Sequence, residues 1–211
     1  ASEKLHCNKV LYIQNFLSFR ESKSEHVQIL QGVREHRVIS LANLRHPKEH
    51  LFLCKTFKEV VKEVPTATLH LVGSDYEDAY SNALKDFVQI EKLEQSIYFH
   101  GKQDAPQNFL NASSIGVIAS SSEGLPMALL EYGRAGLAVI TTAVGECADV
   151  VSSHGAVIPS GDMESFKDAL VEMLTDKEKR DTLAKQYQAH IQSNYSETQV
   201  LYTIQSIYRE L

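Results

Sequence analysis

Short apolar runs alternate along this chain with longer stretches in which apolar residues return every three or four positions. Arg37-Val-Ile-Ser-Leu-Ala42, Thr68-Leu-His-Leu-Val72, Ile97-Tyr-Phe-His100, Ile115-Gly-Val-Ile-Ala119 and Ala138-Val-Ile-Thr141 read as buried strands. Ala156-Val-Ile158 reads as a short sixth. Between the first two, Pro47 to Val64 carries Leu53, Phe57, Val60, Val61 and Val64 at helical spacing. Ala79 to Leu93, Ala105 to Ala112 and Pro126 to Ala135 read as further helices, and helices follow Ile158 to the end. Gly73 and Gly101 close the second and third strands. Strands that alternate with helices predict an α/β fold, a Rossmann-like doubly wound parallel sheet with right-handed crossovers, over residues 37–194.

Two stretches stand outside that rhythm. Residues 1–36 contain an expected strand, Lys9-Val-Leu-Tyr-Ile13, and then a polar, irregular segment from Phe16 to Arg34 that reads as linker rather than core. Residues 195–211 carry Val200, Leu201, Ile204, Ile207, Tyr208 and Leu211 as one apolar stripe on a terminal helix. Such a stripe must pack on something, either this domain or a second one.

In an open parallel sheet, ligands bind beyond the C-terminal strand ends, near the reversal in strand order. Polar and glycine-rich residues gather at each of those ends. They are Asn43, Arg45 and Lys48; Gly73, Ser74 and Asp75; His100, Gly101 and Lys102; Glu123 with its neighbours; and Thr142 to Gly145. The expectation is that five loops share one rim. The fourth is the richest in chemistry. Glu123 lies on the loop after the fourth strand, and Glu131 falls on the second turn of the next helix. Pro126 reads as the first helical residue, so the N–H groups of Met127 and Ala128 face out of a positive helix end. Amides of that kind suit a phosphate, and carboxylates accept hydrogen bonds from sugar hydroxyls. Together they suit a nucleotide sugar. Spacing alone leaves the plainer alternative standing: two glutamates near a helix start are commonly a solvated face or partners of the helix dipole.

Composition narrows the partners. Of 211 residues, 43% are hydrophobic and 23% charged, the balance of a globular domain with a sizeable core. The net charge of −6 and the lack of a basic stripe argue against a nucleic-acid partner. No apolar run is long enough to span a bilayer, which leaves attachment to a membrane surface open. Three widely spaced cysteines, Cys7, Cys54 and Cys147, with no CxxC pair, read as reduced thiols in a cytoplasmic setting. A start at Ala1 rather than methionine fits a piece of a longer protein. His46-Pro-Lys-Glu-His50 matches the HxxEH zinc pattern, but Pro47 starts the helix and leaves His46 at its cap, off the face that carries His50. Ser120-Ser-Ser122 lacks the GxSxG setting of a nucleophile and reads as a polar loop. Gly133 and Gly136 read as packing glycines between helix and strand.

Six stretches in this order resemble the C-terminal, donor-binding domain of the retaining GT-B glycosyltransferases, glycosyl transferases group 1. Lys9 to Asn15 resembles the interdomain linker. Ile39 to Lys48 resembles the loop that carries the phosphate cations. Leu69 to Gly73 and Ile97 to Gly101 resemble the next two strands. Ser122-Glu-Gly-Leu-Pro-Met-Ala-Leu-Leu-Glu131 matches the EX7E signature, and Gly136 to Gly145 the stretch after it. Asp149 falls where that family usually carries a glutamate. The resemblance implies residue roles. Glu123 would contact the transferred sugar and face its anomeric centre, while Glu131 would hold the nucleotide ribose. Gly124, Leu125 and Met127 would offer backbone N–H groups or close approach, Lys48 would neutralise the departing diphosphate, and Phe99 and His100 would border the base. It also implies a UDP-, GDP- or ADP-sugar as substrate, no metal or other cofactor in this domain, and a separate N-terminal domain for the acceptor. The setting implied is cytoplasmic, with attachment of the parent protein to the inner membrane face left open. Several further positions depart from the pattern, among them Pro126, which removes one N–H from the helix end, and Phe16, in place of the linker glycine. The usual arginine falls on Asn43, with Arg45 as a substitute, and the glycine after the lysine falls on Glu49. A lone nucleotide-sugar-binding module and a nucleotide-sugar 2-epimerase are the alternatives.

Overall fold

A computed structural model describes residues 13, 15–17 and 30–209. The expected strand at Lys9–Ile13 lies outside the described residues apart from its last position. Among the described residues six strands are present: β1 (Arg37–Leu41), β2 (Thr68–Val72), β3 (Ile97–Phe99), β4 (Ile115–Ile118), β5 (Ala138–Thr142) and β6 (Ala156–Ile158). All pair in parallel, in the order β3-β2-β1-β4-β5-β6. The helices are α1 (His50–Glu63), α2 (Ala79–Ile90), α3 (Pro106–Asn111), α4 (Met127–Ala135), α5 (Cys147–Val151), α6 (Met163–Thr175), α7 (Lys177–Asn194) and α8 (Glu197–Arg209). The doubly wound expectation is met. The chain builds outward from β1 to β3, then returns to the far side of β1 for β4. The reversal therefore lies between β1 and β4.

Both sheet faces are apolar, as a parallel sheet covered by helices requires. One face packs Phe57, Leu69, Leu71, Leu84 and Phe166 into a single core, and the other packs Ile39, Val139, Tyr132, Tyr187 and Ile191. Asp78, Asp162 and Asp176 cap α2, α6 and α7 by accepting from the N–H of Ser81, Ser165 and Lys179. The glycines of α4 do different jobs from those expected. Gly133 makes room for α7, since a Cβ there would lie 2.4 Å from Ile191. Gly136 ends α4 at φ 71°, the left-handed conformation that glycine adopts without strain.

The linker reading fails at two leucines. Leu17 and Leu30 are buried in the second core. The Leu17 N–H donates to the Tyr195 carbonyl at 3.1 Å. The Arg37 guanidinium donates to the carbonyls of Leu30, Gln31, Gly32 and Ala112, tying that stretch to the start of β1. At the far end of the chain, α8 buries Val200 and leaves Leu201 and Tyr208 exposed. Among the described residues no helix is long and apolar enough to cross a membrane.

Two imidazoles sit inside the fold. His50, the first residue of α1, donates its backbone N–H to the Tyr80 hydroxyl at 2.9 Å, and burial pushes its ring down to about 4. His70 on β2 lies 2.9 Å from the His100 ring and 3.1 Å from the Thr68 hydroxyl. Burial, with His100 beside it, pushes His70 down to about 3. Unfolded, both return to the ordinary 6.5 and take up protons first. Stability is therefore expected to be complete above about pH 6.5 and to fall steadily below it. Urea midpoints measured from about pH 7 to about pH 4 should drop throughout, and a flat profile would contradict the neutral assignment.

Candidate active site

The two strands at the reversal are paired over only two positions, Val38 with Ile115 and Ile39 with Gly116, whereas β1 and β2 stay in register for five. Beyond those two pairs the strands part. A fully buried phenol bridges the opening: the Tyr132 hydroxyl accepts the Leu41 N–H at 2.8 Å and donates to the Val117 carbonyl at 3.2 Å. Its ring fits because position 116 has no side chain; a Cβ there would meet the ring at 2.5 Å. Tyr132 thus satisfies polar groups that the missing ladder bonds would have paired.

The space above it is a cleft of about 400 Å³. Its walls hold Asn43, Arg45 and Lys48 after β1, Val72 and Gly73 at the end of β2, and Ser120, Glu123, Leu125, Pro126, Met127 and Ala128 after β4, with Glu131 above them on α4. Seven of the ten residues expected to form the site line this one space: Asn43, Arg45, Lys48, Glu123, Leu125, Met127 and Glu131. Gly124 stands beside it, exposed, with its carbonyl accepting the Glu146 N–H at 3.1 Å.

Phe99 and His100 do not line the cleft. Phe99 ends β3 and His100 follows it, and β3 is the sheet edge, two strands from the reversal. Phe99 packs against the first core, and the His100 ring is held by His70 and Phe109. The expectation of five loops on one rim is corrected to three, those after β1, β2 and β4. The loop after β5 works from behind: the Gly145 position abuts the backbone of Glu123, where a Cβ would lie 2.0 Å from its carbonyl oxygen.

Within the cleft, Lys48 Nζ donates to Glu123 Oε1 at 2.6 Å, and Ser120 Oγ donates to the same oxygen at 2.6 Å. Both partners of the ion pair are largely covered, with side chains 18% and 9% exposed, so solvent screens the pair less than it would a surface one. Backbone bonds lock the two segments together, since the Ser121 N–H donates to the Pro47 carbonyl at 3.0 Å. Glu131 is half-buried, and burial raises its carboxyl above the ordinary range, with Arg134 acting the other way.

Pro126 is the residue before the helix, at φ −77° and ψ 111°, rather than its first turn. The helix begins at Met127 and no side chain caps it. The proline therefore leaves the Met127 and Ala128 amides in place at the cleft wall. Asn43 does not act as a cation. Its Oδ1 accepts the Ser74 N–H at 2.8 Å and its Nδ2 donates to the Tyr76 hydroxyl at 3.2 Å, which staples the β1 loop to the β2 loop. Arg45 is the exposed cationic side chain two residues on.

Residues 35–176 match the family model described as glycosyl transferases group 1. The chain belongs to this family. It is 32% identical over 104 residues to an uncharacterized glycosyltransferase of Methanocaldococcus jannaschii, a match covering 49% of this chain and 25% of that protein. It is 25% identical over 176 residues to the N-acetyl-alpha-D-glucosaminyl L-malate synthase of Bacillus anthracis, covering 82% of this chain and 45% of that one. This group 1 domain thus spans less than half the length of either relative. In fold it is similar to S. aureus TarM, with a TM-score of 0.81 at 16% identity over 96% of this chain and 40% of that chain. It is also similar to Anabaena HepE, with a TM-score of 0.78 at 18% identity over 84% and 50%.

One departure of this group 1 domain from the family pattern has a physical cost. Glu49, where the family glycine would stand, has φ 51° and ψ 39°. That left-handed backbone costs a side-chain-bearing residue about 1–2 kcal/mol. It separates the 3-10 turn His46–Lys48 from α1, so His46 points into solvent while His50 is buried. The two histidines do not share a helical face, and among the described residues no cluster of three or more metal-binding side chains is present.

Sequence reasoning missed Tyr132 and the supporting role of Ser120. A glycine in a strand, Gly116, was the available signal for Tyr132, because such a glycine marks close approach by another group.

Proposed function

We propose that this chain is the donor-binding domain of a retaining glycosyltransferase and that it holds a nucleoside-diphosphate sugar in the cleft between β1 and β4. The observation that carries this reading is the meeting of Lys48, Glu123, the uncapped α4 terminus and Glu131 around one space. The α4 amides and Lys48 receive the diphosphate, with Arg45 as a second cation. Negative charge grows on the leaving diphosphate as the anomeric bond breaks, so Lys48 stabilises the transition state more than the ground state. Glu123 accepts from hydroxyls of the transferred sugar, and Glu131 accepts from the ribose. Gly124, Leu125 and Met127 line the path between them with backbone. Phe99 and His100 have no part in this reading. This chemistry needs no metal and no other cofactor.

The solved HepE is a complex with UDP, and a further HepE structure holds UDP-glucose. Their similarity in fold makes a UDP-sugar the first donor to test, ahead of GDP- and ADP-sugars. The acceptor is assigned to an N-terminal domain of the same protein. The exposed side of α8, with Leu201 and Tyr208, is a surface for it to cover. The parent protein works in the cytoplasm, where nucleotide sugars serve as donors, and has no nucleic-acid partner.

Calorimetry with UDP, GDP, ADP and their glucosyl or mannosyl conjugates is the direct test, and failure of all of them at millimolar concentration would overturn the reading. Glu131→Ala is expected to weaken the preferred nucleotide by about 1–3 kcal/mol, the cost of leaving hydroxyls unpaired in a covered site. Acid should do the same. The raised carboxyl of Glu131 gains its proton above the ordinary carboxylate range and ceases to be a strong acceptor, so affinity falls as pH falls. The contribution of this one residue to fold stability runs oppositely, against the larger acid loss from His50 and His70, because a raised native value means that proton uptake favours the fold. Glu131→Gln should remove the acid-linked loss of affinity attributable to this residue.

A further inference from the structure

We propose that Ser120 is a positioning residue: anchored from behind by Thr142, it keeps the Glu123 carboxylate aimed at the sugar after Lys48 has turned to the diphosphate. This rests on the donor-site reading above. Glu123 Oε1 accepts two short hydrogen bonds, one from Lys48 Nζ and one from Ser120 Oγ, each 2.6 Å. The two donors differ in how firmly they are held. Lysine is a mobile point charge on a long stem, and a diphosphate in the same cleft draws it away from a single carboxylate. Ser120 has a short stem and is 1% exposed. Its own carbonyl accepts the Thr142 hydroxyl at 2.6 Å, and Thr142 is fully buried on β5. The next residue is fixed as well, through the Ser121 N–H on the Pro47 carbonyl.

A carboxylate that lost its only partner at that moment would swing among rotamers while it was needed. The Ser120 hydroxyl prevents this, because it holds Oε1 in place and leaves Oε2 to accept from a sugar hydroxyl. The arrangement divides the work: Lys48 moves between two anions, and Ser120 stays with one. Preorganised donors of this kind lower the cost of ordering a group on binding.

The experiment compares the affinity of UDP-glucose with that of UDP, or of the corresponding GDP or ADP pair where the wild-type chain prefers it. Only the sugar conjugate reaches Glu123 in this reading. Ser120→Ala is expected to lower the ratio of the two affinities about tenfold, as the loss of one hydrogen bond to a charged group does. Thr142→Val, which removes the anchoring hydroxyl at constant volume, should lower the same ratio by a smaller factor and serves if Ser120→Ala does not fold. An unchanged ratio in a folded variant would overturn the proposal, and so would an equal loss for both ligands, which marks loop collapse. A wild-type chain that binds neither member of any pair would instead overturn the donor-site reading itself.

Discussion

Alanine at position 145 is expected to abolish donor binding and to destabilise the domain by about 3 kcal/mol or more. A Cβ there would lie 2.0 Å from the Glu123 carbonyl oxygen, 2.7 Å from its carbon and 2.9 Å from the Gly124 carbonyl oxygen. All three are backbone atoms of the loop that carries the acid, so no side chain can rotate out of the way. The backbone at Gly145 also has φ 51°, in the left-handed region where a side chain adds about 1–2 kcal/mol. Relief requires the loops after β4 and β5 to separate. Separation breaks the bond from the Glu146 N–H to the Gly124 carbonyl and withdraws Glu123 from Lys48 and Ser120. A thermal melt and a calorimetric titration of Gly145→Ala measure both consequences. Wild-type behaviour in the two together would show that the β5 loop does not support the acid.

The second large effect belongs to Tyr132. Phenylalanine there keeps the ring and removes only the hydroxyl that joins β1 to β4. The Val117 carbonyl then loses its partner in the buried core, and the Leu41 N–H loses its partner at the half-buried floor of the cleft. Each unpaired buried group costs about 1–3 kcal/mol, so the variant should lose about 2–4 kcal/mol once partial relaxation is allowed. Tyr132→Ala adds a cavity under α4, and truncating a large core aromatic typically costs about 3–5 kcal/mol. Glu131 is the neighbouring residue on α4, so donor affinity should fall together with stability. Chemical denaturation of Tyr132→Phe gives the number, and an unchanged midpoint would mean that water replaces the phenol.

Much of this was readable in the chain. The alternation of strand and helix follows from local periodicity, and every strand found is one the apolar runs predicted, within a residue or two at its ends. Glu123 and Glu131 were legible because a loop glutamate and a helical one eight residues farther on flank a proline, whose place at the helix start is a local preference. Lys48 was legible from its place after the first strand. The errors lie where distant segments meet. Leu17 and Leu30 looked like linker because neither belongs to a periodic stretch, yet both are buried. Phe99 and His100 looked like rim residues because a strand end resembles any other strand end until strand order is known. Asn43 looked like a lost cation, whereas its amide bonds two loops that the sequence separates by about thirty residues.

What the chain determined by itself was a doubly wound α/β domain and a short list of acids, cations and amides at its strand ends. Hydrophobic period and the chemistry of proline and glycine act over a few residues, so a linear string contains them. Tertiary structure decided which strand ends share a cleft, which oxygen of Glu123 is occupied, and that a tyrosine on α4 is seated in the gap left by a glycine on β4. Those outcomes depend on strand order and on contacts between segments far apart in the chain. They are settled by how the whole core packs.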